Sequence, residues 1–352
     1  MSDMTHRPFG VEQEHFILHS DGSAPSHSEI DTLYERLKRH GFQTRGTDSN
    51  GRILSLALAC EDGSLIVCND SCTHILEVAF PVFNSLELFR NAYVETWELL
   101  KSELQPLGLR IHYGGVLDPR PEIFWRPKDT DSTYERLQRF LARPPQQSPL
   151  YNQRFPACCA ATQVSLTITH PEAYRLLPSY YAFEFLSPLI FSNSAEFLGV
   201  RRHCVRPLAL MQNYPDDDPL VGIPRNIPQD EHEYGQLKKR TNNRDHSFVS
   251  IRGKNRVEFR STCSQNTVED VIDTVQLRLA VDRAVARIDL PPSIEHSRSE
   301  FLHVAETGTL LYPQTLELLG RFLKNLDPGL PGEERLFRRI ESQMKTTMIP
   351  HA

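Results

Sequence analysis

Long apolar runs are missing from this 352-residue chain, and with them the case for a helix that spans a bilayer. Met1 to Arg7 also lacks the apolar core of a secretory signal, so the sequence predicts a cytoplasmic protein with no membrane partner. A strong charge bias is absent too. Lys and Arg total 39 against 45 Asp and Glu, a formal charge of -6, and no long basic stripe occurs, which argues against a nucleic-acid partner. Cysteine is sparse and odd in number. Seven residues, with Cys158 and Cys159 adjacent, fit reduced thiols in a cytosol better than a disulfide framework. Cys68, Cys72 and His74 begin a zinc-like pattern, but no second pair follows at suitable spacing. No internal repeat occurs. What remains is a chain long enough to bury a large core, expected as one domain over residues 1–352.

What the sequence does hold is a set of strands with acidic residues in phase. Gly10-Val11-Glu12-Gln13-Glu14 opens the first predicted strand, and alternation puts Glu12 and Glu14 on one face, about 7 Å apart. Two carboxylates that close repel unless something positive lies between them. A hard divalent cation such as Mg2+ takes oxygen ligands and then grips phosphates. The plainer reading of an E-x-E is a polar strand edge facing water, but the pattern recurs. Glu77 sits in the apolar run Ile75 to Phe80, where an unpaired charge is costly to bury. Gln163, Ser165 and Thr167 share one face of a strand whose other face is Val164, Leu166 and Ile168. Glu258 and Arg260 likewise stand opposite Val257 and Phe259. Together these strands predict an α+β fold: a curved antiparallel sheet with an acidic inner face and helices packed on its outer face.

These residues resemble a known family. Gly10 to Glu14 is similar to the G-x-E-x-E opening of glutamate-cysteine ligases and related carboxylate-amine ligases, which share the catalytic fold of glutamine synthetase. Asp70 with Leu76-Glu77 and the following Pro81 resembles the family's D-x-x-x-x-x-LE segment. Cys159 to Val164 resembles its C-x-x-x-Q-V strand, and Val257-Glu258-Phe259-Arg260-Ser261 its late (I/V)-E-x-R-S strand. Ser192-Asn193-Ser194 before an arginine-rich segment adds a looser match. The pieces stand in the family's order over residues 10 to 261.

The resemblance implies ATP- and Mg2+-dependent joining of a carboxylate to an amine through an acyl phosphate, with glutamate as the acyl donor and cysteine or another amine as acceptor. It implies that Glu14, Glu77 and Asp70 hold one Mg2+, and Glu12, Glu258 and Gln163 another. Arg260 would stabilise the transferring phosphate, Gln163, Ser165 and Arg252 would contact the nucleotide, and Arg206 the acidic substrate. Gln163 and Ser165 stand where many relatives carry histidines, which places this chain in a different branch. The alternatives are a nucleotide or metabolite sensor or partner-binding protein on the same fold, and a small-molecule kinase. The oligomeric state is left open, a homo-oligomer included.

Periodicity supplies the rest. A helix is predicted over 29–40 from the stripe Ile30, Leu33, Tyr34 and Leu37. A hairpin of Ile53–Cys60 with Ser64–Cys68 follows, around Glu61-Asp62-Gly63. Because Asp70 and Glu77 are an odd number of residues apart, only a bulge or bend between them brings both to one site. A long helix is predicted from a cap at Asn84, ending at Pro106 to Gly108, then a strand over 109–116 and a helix over 131–142. Residues 171 to 191 read as helix interrupted by Pro178 and Pro188. Tyr214 to Asp245 has few apolar residues and reads as a long polar loop, a flexible lid or a disordered excursion. Ser247–Arg252 then turns at Gly253-Lys254-Asn255 into the Glu258 strand, and helices follow at 268–287, 313–324 and 332–345.

Overall fold

The computed structural model describes residues 7–126, 138, 141–142, 147–214, 219–241, 245–253, 255–288, 293–327, 329–330 and 332–347. The helix predicted over 131–142 and the Lys254 turn tip lie outside the described residues, apart from positions 138, 141 and 142. The architecture is a nine-stranded sheet in which every pairing is antiparallel, with helices packed on one side. Its strands are β1 (Phe9–His19), β2 (Gln43–Thr47), β3 (Ile53–Cys60), β4 (Gly63–Asn69), β5 (Ile75–Ala79), β6 (Leu109–His112), β7 (Thr162–Thr167), β8 (Val249–Arg252) and β9 (Arg256–Phe259). They run in the order β8-β9-β7-β1-β5-β4-β3-β2, and β6 pairs with the far end of β1. The eleven-residue β1 is therefore the hub, bonded to β5 on one edge and to β7 and β6 on the other.

Strand alternation separates the two faces. Phe9, Val11, Val164, Val257 and Phe259 lie on one face and are 0–1% exposed. Helix rings pack onto it: Phe89 of Leu86–Leu104 meets Phe9 edge-on at 5.8 Å, and Tyr180 of His170–Ala182 meets Phe259 at 5.2 Å. Burial of such rings dominates the core. Helix Val268–Val285, with 13 of 18 residues buried, fills the middle of this layer, which explains its lack of a one-sided stripe.

Several boundaries differ from the sequence reading. The long helix is capped by Ser85, whose Oγ accepts from Leu88 N, not by Asn84. The strand after it stops at His112, short of Gly114 with φ 152°. The break within 171–191 falls at residues 183–185, between helices His170–Ala182 and Leu186–Ile190, and each helix carries its proline inside. The polar stretch 214–245 is not a plain loop. It contains helix Glu231–Arg240, capped by Asp230 on Glu233 N, and Val221–Gly222 pairs with His246–Ser247. Helices Val205–Asn213 and Ile294–Thr307 and strand β2 also went unpredicted.

Candidate active site

The site grows out of strand register. Glu12 faces Gln163 across β1 and β7, Gly10 faces Ser165, and Ser165 faces Glu258 of β9. On the other edge Glu14 faces Glu77, and Glu77 faces Cys68. Directly opposed residues point to the same side, so Glu12, Glu14, Glu77, Gln163, Ser165 and Glu258 share the face opposite the helices.

Asp70 joins them by the bend that its spacing requires. β4 ends at Asn69, Ser71 adopts φ 65°, and the chain re-enters the sheet at Ile75. Carboxylate oxygens of Glu14, Asp70 and Glu77 then lie within 4.8 Å of one another, with Glu14 and Glu77 buried. Among the described residues no other group of three or more His, Cys, Asp or Glu ligands comes so close. Glu14 is fixed by Ala161 N–H to Oε2 at 2.8 Å and by Gln163 Nε2 to Oε1 at 2.7 Å.

Across the face the charge reverses. Glu258, almost fully buried, has Arg252 at 3.2 Å, Arg260 at 3.4 Å and Arg256 at 3.6 Å. Burial works against the Arg252 charge, but Glu258 and then Asp245 hold its pKa above the usual arginine value. Arg260 is oriented by Nε to Gln163 Oε1 at 3.0 Å and Nη1 to the Asp245 carbonyl at 2.8 Å. Gln163 thus uses its amide nitrogen on Glu14 and its amide oxygen on Arg260, and joins the carboxylate cluster to the arginines. Glu12, about a quarter exposed, has Arg256 at 4.0 Å.

Between the two halves is a cavity of about 530 Å³. Glu12, Glu14, Asp70, Gln163, Arg252, Glu258 and Arg260 line it, and Arg206 reaches it from helix Val205–Asn213. Glu77 and Ser165 share the face but are not part of this lining. Arg206 Nη1 donates to the carbonyls of Arg260 and Ser261 at 3.1 and 3.3 Å. The clustered carboxylates of Glu14, Asp70 and Glu77 suit a hard divalent cation, and the guanidinium groups of the lining suit phosphate or carboxylate oxygens.

No family model matches the sequence, and no curated protein matches it. Solved structures do. Over 98% of its length the chain superposes on a bifunctional glutathione synthetase from Pasteurella multocida with a TM-score of 0.68 at 12% identity. It superposes equally fully on a glutamate-cysteine ligase from Francisella tularensis, solved in complex with AMP, with a TM-score of 0.59 at 12% identity. The fold is that of the glutamate-cysteine ligases. The chain spans 48% of the Pasteurella protein and 83% of the Francisella ligase. PafA, the ligase of the ubiquitin-like protein Pup, matches over 98% of this chain and 64% of its own, with a TM-score of 0.50 and 11% identity.

On this ligase fold the cavity has a wall that the sequence did not announce. Leu210 and Tyr214 come from the second half of helix Val205–Asn213 and the residue after it, and Tyr214 stacks on His246 at 3.9 Å between ring centres. Cys159 lines the cavity too, and burial pushes its thiol up to about 12 against the pull of Arg206. A protonated thiol is a poor nucleophile and metal ligand at neutral pH. Arg256 also lines the cavity, as expected of the positive charge that the sequence gathers beside Glu258. Tyr214 and His246 carry no local signal, since Tyr214 opens the stretch that reads as a polar loop and His246 follows it.

Proposed function

We propose that this protein is an ATP- and Mg2+-dependent carboxylate-amine ligase that forms a γ-glutamyl amide from glutamate and cysteine or another amine. The observation that carries the reading is the meeting of Glu14, Asp70 and Glu77 within 4.8 Å, with Glu14 and Asp70 lining a cavity that Arg206, Arg252, Arg256 and Arg260 also line. The ligase fold adds support, and the substrates and the acyl phosphate rest on the resemblance of the motifs.

In this reading Glu14, Asp70 and Glu77 hold a divalent cation, which when bound neutralises phosphate charge. Glu12 and Glu258, with Gln163 between the clusters, form the second acidic set on the inner face of a curved sheet. Arg260, tethered by Gln163 and Asp245, faces the charge that spreads over the transferring group. Arg252 adds to it, Ser165 belongs to the nucleotide side of the sheet face, and Arg206 receives the acidic substrate. Phosphorylation makes a carboxylate oxygen a leaving group, and the amine then displaces phosphate. The same carboxylates and arginines would serve a kinase, but amide product separates the two.

The test is a coupling assay with ATP, Mg2+, glutamate and a panel of amines headed by cysteine, following ADP and product mass together. A γ-glutamyl product with equal ADP is expected, abolished by chelation of the metal. Nucleotide binding with no ADP release for any pair rules the ligase reading out.

A further inference from the structure

Beneath the cavity lies a charged group that the ligase reading leaves unused. Glu184, in the turn between helices His170–Ala182 and Leu186–Ile190, meets Arg278 of helix Val268–Val285 at 2.6 Å, and both side chains are 0% exposed. Such a pair is a poor device for stability alone. Desolvation of two charges offsets their attraction, and apolar residues of similar volume are often as stable or more so.

What distinguishes the pair is where its other bonds go. Arg278 Nη2 donates to Ser261 Oγ at 3.1 Å and Thr262 Oγ1 at 3.2 Å, and also to Ser187 Oγ. Ser261 Oγ in turn donates to Glu184 Oε2. The Arg278 guanidinium lies over the Phe259 ring at 4.7 Å. The pair therefore grips residues 259, 261 and 262, on both sides of Arg260. The ladder of β9 ends at Phe259, and beyond it the main chain keeps single bonds, Arg260 N to Phe248 O and Thr162 N to Thr262 O. Arg206 holds the carbonyls of the same segment from the cavity side.

We propose that Glu184 and Arg278 are positioning residues: acting through Ser261 and Thr262, they fix the main chain that carries Arg260 and receives Arg206. The inference rests on the ligase reading of the cavity. A guanidinium aimed at a transferring group loses its effect with small displacements, because orientation itself supplies much of the rate.

Two variants test it, Ser261→Ala and the double replacement Glu184→Leu with Arg278→Met, the second removing both charges so that neither is left buried alone. Thermal melting, hydrogen exchange of the 256–264 peptide, and ADP release as a function of ATP concentration are measured on each. The expected result is a folded protein with faster exchange confined to 259–263. The kcat falls about tenfold to a hundredfold, while KM for ATP changes less than about twofold, as for an interaction made only in the transition state. Unchanged kcat in both variants overturns the proposal. So does a kcat that falls only in step with the folded fraction while exchange rises evenly through the sheet, which marks a structural role. Wild-type protein that releases no ADP with any substrate pair overturns the ligase reading and the inference with it; unaffected variants of an active wild type overturn the inference alone.

Discussion

Glu12 and Glu258 occupy one face of the sheet, but their surroundings set different consequences for removing them. Glu12 is partly exposed, with one arginine at 4.0 Å, whereas Glu258 is buried among three. Glu12→Gln is expected to abolish turnover with a melting temperature near that of wild type. Glu258→Gln is expected to abolish turnover and also cost about 1–3 kcal/mol, because Arg252 and Arg260 lose the charge that offsets their desolvation. Urea titration beside the coupling assay checks both, and equal stability of the two variants would refute the contrast. At this scale the sequence was informative where parity decides. Period-two alternation put Glu12 with Glu14 and Glu258 with Arg260; the ladders keep the first pair in phase, and Arg260, one residue past its strand, reaches Glu258 at 3.4 Å. Alternation could not assign Asp70, whose odd spacing from Glu77 needs a bend, and only the resemblance of the motif put it with Glu14 and Glu77. Nor could it show that Gln163 spends both amide atoms on Glu14 and Arg260.

Elements show the same division. Strands with clean alternation and helices with a long apolar stripe were legible; helix Glu231–Arg240 was not, because Tyr234 is its one buried residue and its mean hydropathy is that of a loop. The short connection from β4 to β5 matters most for chemistry. Ser71 holds φ 65°, a conformation that β-branched side chains resist. Ser71→Val is expected to cost about 1–2 kcal/mol and to raise the Mg2+ concentration needed for half-maximal activity, since it turns Asp70 away from Glu14 and Glu77; Ser71→Gly is expected to leave both unchanged. The same connection carries a pH dependence. His74 is buried with Nε2 donating to the Ala157 carbonyl at 2.8 Å, and burial lowers its pKa to about 4. Above its usual 6.5 both folded and unfolded states are neutral there. Between about 6.5 and 4 the unfolded chain takes up a proton that the folded protein refuses, so stability falls by about 1.4 kcal/mol per pH unit. Below about 4 this loss is complete. His74→Phe is expected to flatten the fall over that window, read as the difference in unfolding free energy between the two proteins at pH 7, 6, 5 and 4.5.

At the scale of the whole molecule, the site draws on strands spread from Phe9 to Phe259, and its hub is β1, next to the start of the described residues. The order of motifs in the sequence foretold which strands take part, but not their neighbours in space. β1 lies between β5 and β7, and β9 follows on β7, although nearly ninety residues separate β7 from β9 in sequence. That separation reflects the helices inserted between them, and no local propensity encodes which strand edge a distant segment will find.

The same arrangement fixes a timetable for synthesis. On the ribosome Glu12, Glu14, Asp70 and Glu77 emerge early, while the arginines of β8 and β9 that oppose them come some 175 residues later than Glu77. Until β7 appears, one edge of β1 has only β6 to cover its far end, and an open strand edge recruits other chains. Stalled nascent chains that expose only residues 1–150 are therefore expected to be held by a chaperone and cut readily by protease. Chains that expose residues 1–290 should resist cleavage within β1. Equal resistance at both lengths would mean that the acidic half of the site is a folding unit that matures without its arginines.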